Sequence, residues 1–178
     1  MVTALGLIVG MVVLNLARTA SSALVNMHGQ GLVQMQLNAA LTLVSKDAHL
    51  VTNTPASCVP PTCASPYTQD LDSAGDGQAT LIMRVPSIDS SGAVLAETYD
   101  HLVYRFNAGT GILQRIVEKH AASSRLTATQ VVFGALSRVL FTTSATAVTI
   151  TVWAHRTEAG RAFDGTAGTS VAFRNVGM

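Results

Sequence analysis

The chain has 178 residues, and only 12% of them are charged, against about 25% in an average soluble protein. Its formal net charge of +1 excludes a protein that is drawn to nucleic acid or another polyanion by overall charge alone. The length allows a single domain of about 120–130 residues together with an N-terminal segment.

That N-terminal segment is predicted to be one long helix. Residues 1–17 are almost wholly apolar, and Arg18 is the only charged residue before Lys46. Apolar residues then recur at helical spacing among uncharged polar ones, which predicts an amphipathic second half over residues 18–51. We expect its apolar stripe to contain Leu24, Val25, Met27, Leu32, Met35, Ala39, Leu43 and Leu50.

The predicted helix covers residues 1–51 and is about 75 Å long. Two glycines, Gly29 and Gly31, weaken the pattern and predict a bend or a melted turn. The polar run that ends in Pro55 then stops the helix. A cleavable signal peptide is the alternative, but no basic residue precedes the apolar run and the helical pattern continues beyond Ala20.

Two cysteines, Cys58 and Cys63, flank a pair of prolines in the following loop. In an exported protein they predict a disulfide, which closes a small loop and stabilises by at most about 2–3 kcal/mol. Their spacing is not the two-residue gap of a typical zinc site.

An aspartate-rich segment, QDLDSAGDGQ, is a weak calcium candidate. Asp70, Asp72 and Asp76 occupy positions 1, 3 and 7 of an EF-hand-like loop, but Leu81 replaces the glutamate at position 12. The standard EF-hand is therefore excluded. A looser calcium site and a plain surface turn remain as alternatives.

The rest of the chain alternates between strand-like runs and turns, with turns at residues 90–92 and 107–111. We predict Val148, Ile150 and Val152 to face inward, and the run from Ile112 to be a central strand because it is apolar on both faces. The predicted strands are Ala79–Val85, His101–Phe106, Ile112–Lys119, Gln130–Phe141 (bent at Gly134), Ala147–His155 and Ser170–Arg174.

Together these elements predict an α+β protein with two parts. The first is the helix of residues 1–51, with an apolar stem at 1–17 and an amphipathic half at 18–51. The second is a strand-rich head at 52–178, whose antiparallel sheet packs against the amphipathic half of the helix.

This layout resembles the type IV pilin-like family. The order of VYRF, a glycine turn, LQR, an alternating strand and a terminal FRN is similar to minor pilins and to J-type pseudopilins of type II secretion. The family's basic leader and Gly-Phe-Thr-Leu-x-Glu signature are not in this sequence. If the resemblance holds, we expect them just upstream of Met1, with cleavage by a prepilin peptidase and methylation of the new N-terminus.

The resemblance implies a structural minor subunit of a type IV pilus or a type II secretion-like filament, at or near the tip, that helps to initiate assembly. It implies a single-pass protein of the bacterial inner membrane, with its head outside the cytoplasm, that later enters a periplasmic or extracellular filament. The expected partners are membrane lipid, the inner-membrane assembly machinery and other pilin or pseudopilin subunits. The assembly contacts would use Leu5, Leu7, Ile8, Val9, Val12, Val13, Leu14 and Leu16.

No catalytic or nucleotide-binding motif occurs in the sequence, and neither an enzymatic activity nor a cofactor other than calcium is expected. The five histidines are scattered and are predicted to lie at the surface, with His101 and His120 near each other at the ends of paired strands.

The alternative function is a membrane-anchored or secreted binding module, such as an adhesin or the head of a DNA-uptake pilin. Nucleic acid would be a partner only if the arginines of the C-terminal half gathered on one surface. Those arginines are Arg105, Arg115, Arg125, Arg138 and Arg156.

Overall fold

A computed structural model describes residues 2–51, 57–58, 67–72 and 78–173, with the side chains of residues 2–10 and 57–58 left out. Within these residues a single helix, α1, precedes nine strands. Helix α1 spans Val2–Ala48. The strands are β1 (Ser57–Cys58), β2 (Tyr67–Thr68), β3 (Ala79–Ile88), β4 (Val94–Asn107), β5 (Ile112–Glu118), β6 (Ala128–Phe133), β7 (Leu136–Thr143), β8 (Ala147–Glu158) and β9 (Arg161–Ala172).

The strands form two antiparallel sheets, and the α+β prediction is confirmed. The first sheet has the order β3-β4-β5-β6 and the second the order β7-β8-β9, while β1 and β2 form a short ladder of their own. Strand β5 pairs on both sides, as its two apolar faces predicted. The prediction of one continuous sheet is wrong.

The two sheets separate at residues 134–135. The sequence predicted one bent strand over Gln130–Phe141, but β6 ends at Phe133 and β7 begins at Leu136 in the other sheet. Between them Ala135 has a positive φ of 64°, a left-handed conformation that interrupts an extended chain. The glycine at 134 therefore marks a crossing between sheets rather than a bend within one.

Alternation along the strands sets which side chains enter the core. In β8, Val148, Ile150 and Val152 are fully buried, as predicted. In β4, Leu102, Tyr104 and Phe106 are buried on one face. Both sheets contribute to one large apolar core, which is completed by the second half of α1.

The last strand is longer than the sequence predicted. Strand β9 begins at Arg161 and pairs with β8 along its whole length, from Arg161 opposite Glu158 to Ala172 opposite Ala147. Residues 161–169 contain two glycines and small polar side chains, which have low strand propensity. Of the predicted Ser170–Arg174 strand, Ser170–Ala172 is confirmed, Phe173 lies just after the strand, and Arg174 is outside the described residues.

The stripe that seats α1 on the head differs from the predicted stripe. Its buried members are Gly29, Val33, Leu37, Ala40, Val44 and Ala48. Five members of the predicted stripe are exposed, so most of it is wrong: Leu24, Met27, Met35, Ala39 and Leu50. Val25 packs against the core, and Leu32 and Leu43 are half-buried. The helix is also continuous through Gly29 and Gly31, without a melted turn there.

Candidate assembly surface

Two glycines allow α1 to lie close to β9. A Cβ atom at Gly29 would come within 2.7 Å of the Phe163 ring, and one at Gly165 would come within 2.5 Å of Val33 Cγ1. Both distances are too short for real carbon atoms, so the helix and strand approach each other only because side chains are absent there. These contacts seat the middle of the helix on the second sheet.

Asp47 fastens the end of the helix to the first sheet. Its carboxylate is buried, accepts a hydrogen bond from the Tyr104 hydroxyl at 2.6 Å and forms an ion pair with Arg115. A second hydrogen bond runs from Arg115 Nη2 to Asp47 Oδ1 at 3.2 Å. Burial disfavours the charged guanidinium, but Asp47 holds the pKa of Arg115 above its usual value. Burial and the Asp47 charge also raise the pKa of Tyr104.

A third attachment lies nearer the stem. Arg161, at the start of β9, donates to Asn26 Oδ1 at 3.0 Å and to Ser22 Oγ at 3.1 Å. The contacts described between α1 and the head therefore extend from Ser22 to Ala48.

Between Met11 and Ser21 the helix projects beyond these contacts, with its apolar side chains exposed. Met11, Val12, Val13, Leu14 and Leu16 are each between 51% and 67% exposed. Consecutive helical residues point in different directions, so this apolar surface surrounds the helix rather than forming one stripe. A helix that is apolar on all sides is normally buried, with other apolar groups covering it on several sides.

These exposed residues include half of the predicted assembly residues, namely Val12, Val13, Leu14 and Leu16. The other four, Leu5, Leu7, Ile8 and Val9, have side chains outside the described part of the structure. Across the residues that were described, no helix combines the length and the apolar character needed to cross a membrane.

The calcium candidate is only partly described. Asp72 is buried and forms an ion pair with Arg138 at 2.9 Å, and its backbone N–H donates to Asp70 Oδ1 at 3.0 Å. Asp76 lies outside the described residues. Among the residues described, no three histidine, cysteine or acidic side chains are grouped to hold a metal ion.

His101 is buried, contrary to the prediction that all histidines lie at the surface. It lines a hollow of about 220 Å³ together with Arg84, Glu97, Tyr99 and His120, so its predicted proximity to His120 is confirmed. Burial, with the nearby Arg84 charge, lowers the pKa of His101. The hollow mixes acidic, basic and aromatic groups and does not select one class of ligand.

A buried carboxylate, Asp100, lies beneath this hollow. It accepts hydrogen bonds from the Ser87 and Ser123 hydroxyls, the His120 N–H and Arg125 Nε, all at 2.8–2.9 Å. Burial alone would raise its pKa, but these donors hold the pKa of Asp100 below its ordinary value. The cluster ties the segment after β5 to β4.

Sequence reasoning missed the buried carboxylates of Asp47 and Asp100, although each had a signal. Asp47 falls between the buried helix positions Val44 and Ala48, and Asp100 continues the inward alternation of Leu102 and Tyr104. A charge at a core position predicts a buried partner.

The arginines of the alternative binding module do not present a shared basic surface. Arg115, Arg125, Arg138 and Arg156 face Asp47, Asp100, Asp72 and Glu158, respectively. Among the described residues, Arg105 is the one arginine of this set that forms no ion pair with a carboxylate. A phosphate backbone would have to compete with the carboxylates for the other four.

The predicted disulfide lies outside the described side chains. The backbone of Cys58 belongs to β1 and pairs with Tyr67, while Cys63 is in a segment that the structure does not describe.

Comparison with protein-family models, curated proteins and solved structures finds no match to this chain.

Proposed function

We propose that this chain is a structural, pilin-like subunit without catalytic activity, which uses its bare N-terminal helix to join a filament. Before assembly this helix anchors the protein in the bacterial inner membrane, with the head outside the cytoplasm. In the filament the helix packs among those of neighbouring subunits. The filament is a type IV pilus or a type II secretion-like pseudopilus.

The observation that carries the proposal is the unequal covering of α1. From Ser22 onward the helix is held by hydrogen bonds, close glycine contacts and a buried ion pair. Between Met11 and Ser21 its apolar side chains have no cover from the described part of the head. Each fully buried Val or Leu contributes about 1.5–3 kcal/mol, so burial among other helices supplies a strong driving force for assembly.

The finer assignment, a minor subunit at or near the tip, is supported by the resemblance of the head to minor pilins and J-type pseudopilins. In that position the chain would help to start assembly. The partners are sibling subunits and the inner-membrane assembly machinery.

The test replaces one exposed apolar residue in the stem by a charge. Leu14→Arg leaves the head contacts intact, but a central arginine costs about 2.5–3.5 kcal/mol in a membrane helix. The full chain is produced in its native cells in place of the resident copy. We expect Leu14→Arg to be lost from both the membrane fraction and the isolated filament fraction.

The matched control is Leu126→Arg, because Leu126 is an 83% exposed leucine of the head. It should remain at the unmodified level in both fractions. If Leu14→Arg also stays in the filament fraction at that level, the proposal is wrong. If the unmodified chain is membrane-bound but never enters filaments, the membrane-anchored binding module becomes the better explanation.

A further inference from the structure

A hollow of about 180 Å³ lies where the head meets the stem. One wall is a face of α1 and the other is the turn between β8 and β9, and the lining residues are Ser21, Ser22, Val25, Ala159 and Arg161. We call it the junction hollow. Since the described contacts between the helix and the head begin at Ser22, the junction hollow is at the end of the head nearest the stem.

Arg161 brings a positive charge to the junction hollow. Among the described residues it forms no ion pair, and its hydrogen bonds run to neutral acceptors. These acceptors are Asn26 Oδ1 at 3.0 Å, Ser22 Oγ at 3.1 Å and the Ser22 carbonyl at 3.5 Å. All three bonds come from Nη1 or Nη2, so the Nε–H of the guanidinium is left for a further acceptor.

The acidic residue opposite Arg161 does not neutralise this charge. Glu158 is the partner of Arg161 in the ladder between β8 and β9, but its carboxylate contacts Arg156 at 3.6 Å and His28 at 3.7 Å. On the helix side, the sequence contains no acidic residue before Asp47. The charge of Arg161 therefore favours an anion in the junction hollow.

A second arginine, Arg18, lies on the same face of α1, one turn closer to the stem. An α-helix turns by about 100° per residue, so Arg18 is within about 40° of Ser22 and about 20° of Val25 around the axis. Arg18 is exposed, and it forms no ion pair with any described residue. Arginines at the ends of membrane helices extend toward the water interface, which is the direction of the junction hollow.

The height of the junction hollow is that of lipid headgroups, if the stem anchors the chain as in the proposed function. The apolar stem ends at Ala17, and Ser21 is about 6 Å further along the helix axis. The headgroup layer on each side of a bilayer is about 5–7 Å thick. The inference that follows therefore rests on the membrane-anchored stage of the proposed function.

We infer that the junction hollow binds the phosphate group of an anionic membrane lipid such as phosphatidylglycerol. Arg161 donates to the phosphate from the head, and the Ser21 hydroxyl donates from the helix. Arg18 supplies the second positive charge from the side of the stem. Two arginines without an acidic partner favour an anionic lipid over a zwitterionic one. The bound lipid holds the head at a fixed height on the membrane before the subunit enters a filament.

The experiment follows the Arg161 Nε–H signal by nuclear magnetic resonance in the full chain, held in micelles of a neutral detergent. Arg161→Lys identifies this signal by its loss. Phosphatidylglycerol, phosphatidylcholine and inorganic phosphate are titrated separately. We expect a saturable shift that needs less phosphatidylglycerol than either of the other two. Arg18→Gln should weaken phosphatidylglycerol binding about fivefold, the loss expected for one arginine near an anionic headgroup.

Arg105→Gln is the matched control, because it removes an exposed arginine elsewhere on the head with the same change of charge. It should bind phosphatidylglycerol as the unmodified chain does. The inference is wrong if phosphatidylglycerol gives no saturable shift, or if Arg105→Gln weakens binding as much as Arg18→Gln does. Equal affinity for inorganic phosphate or for phosphatidylcholine would also overturn it, because the site would then not select an anionic lipid.

This experiment separates the inference from the proposed function, because it measures binding at one site without any filament. Saturable lipid binding by a chain that never enters filaments would contradict only the proposed function. A chain that is membrane-bound and enters filaments, but shows no saturable shift, would contradict only the lipid site.

Discussion

Gly29 of the helix lies directly beneath the ring of Phe163, and no side chain fits between them. Phe163 is a residue of β9 and is itself buried against α1. The helix can therefore take this position on the second sheet only because residue 29 has no side chain.

Gly29→Ala should therefore destabilise the protein by about 1–3 kcal/mol, because the added carbon overpacks the contact with Phe163. The measurement is chemical denaturation followed by circular dichroism. Gly31→Ala is the control: its Cβ would meet nothing within 4 Å, and alanine favours the helix by about 0.8–1 kcal/mol. Equal effects of the two substitutions would contradict this account.

Asp47→Asn should also destabilise the protein, by about 3 kcal/mol, because it leaves the Arg115 charge without its buried partner. Tyr104→Phe removes only one hydrogen bond to the same carboxylate and should cost about 1–2 kcal/mol. The free energy of unfolding of each variant is compared with that of Arg105→Gln, a change at an exposed position.

A double-mutant cycle tests whether Asp47 and Arg115 act as a pair. The combined Asp47→Asn and Arg115→Gln variant should lose less stability than the sum of the two single variants. Additive losses would show that the ion pair contributes nothing of its own.

His101 predicts a loss of stability in mild acid. Its pKa in the folded protein is lowered from 6.5, by burial first and then by the Arg84 charge. The unfolded chain therefore binds a proton at higher pH than the folded protein does. Stability should be constant above this range and should fall as the pH drops below about 6.5 toward the folded pKa.

His101→Gln should reduce this loss, by about 1.4 kcal/mol for each unit by which the folded pKa is lowered. The check is the free energy of unfolding between pH 7.5 and about 5.5. Leu126→Gln introduces the same side chain at an exposed position of the head and should leave the pH profile unchanged. An identical profile for His101→Gln would refute the prediction.

The disulfide between Cys58 and Cys63 remains a prediction. We expect no free thiol in the unfolded, unreduced protein, and we expect reduction to cost at most about 2–3 kcal/mol because the loop is short. Thiol titration under denaturing conditions measures the number of free thiols. Thermal melting with and without reductant measures the stability that is lost on reduction. Two titratable thiols in protein from an oxidising compartment would show the prediction to be wrong.

The elements that sequence reasoning placed well have a single strong periodicity. The alternation of Val148, Ile150 and Val152 identified β8, and two apolar faces identified β5 as an internal strand. The long helix followed from its length and its lack of charge. These features are local, so the residues themselves specify them.

The features that were missed depend on partners distant in sequence. Helix α1 has apolar residues on more than one face, and contacts with distant residues such as Phe163 and Gly165 of β9 decide which face is seated. Strand β9 has weak propensity because Gly165 must leave room for the helix, yet its ladder with β8 holds it extended. Tertiary contacts overrode local preference in both cases.

The three attachments of the helix have a mechanical consequence. Arg161 holds it at Ser22, Phe163 packs at Gly29, and Arg115 holds it at Asp47, a span of about 38 Å along the axis. A force that pulls the stem along this axis would load all three attachments at once, in shear. The attachments would therefore not break one after another. The stem and the head would then move as one rigid lever, and tension would reach both sheets together.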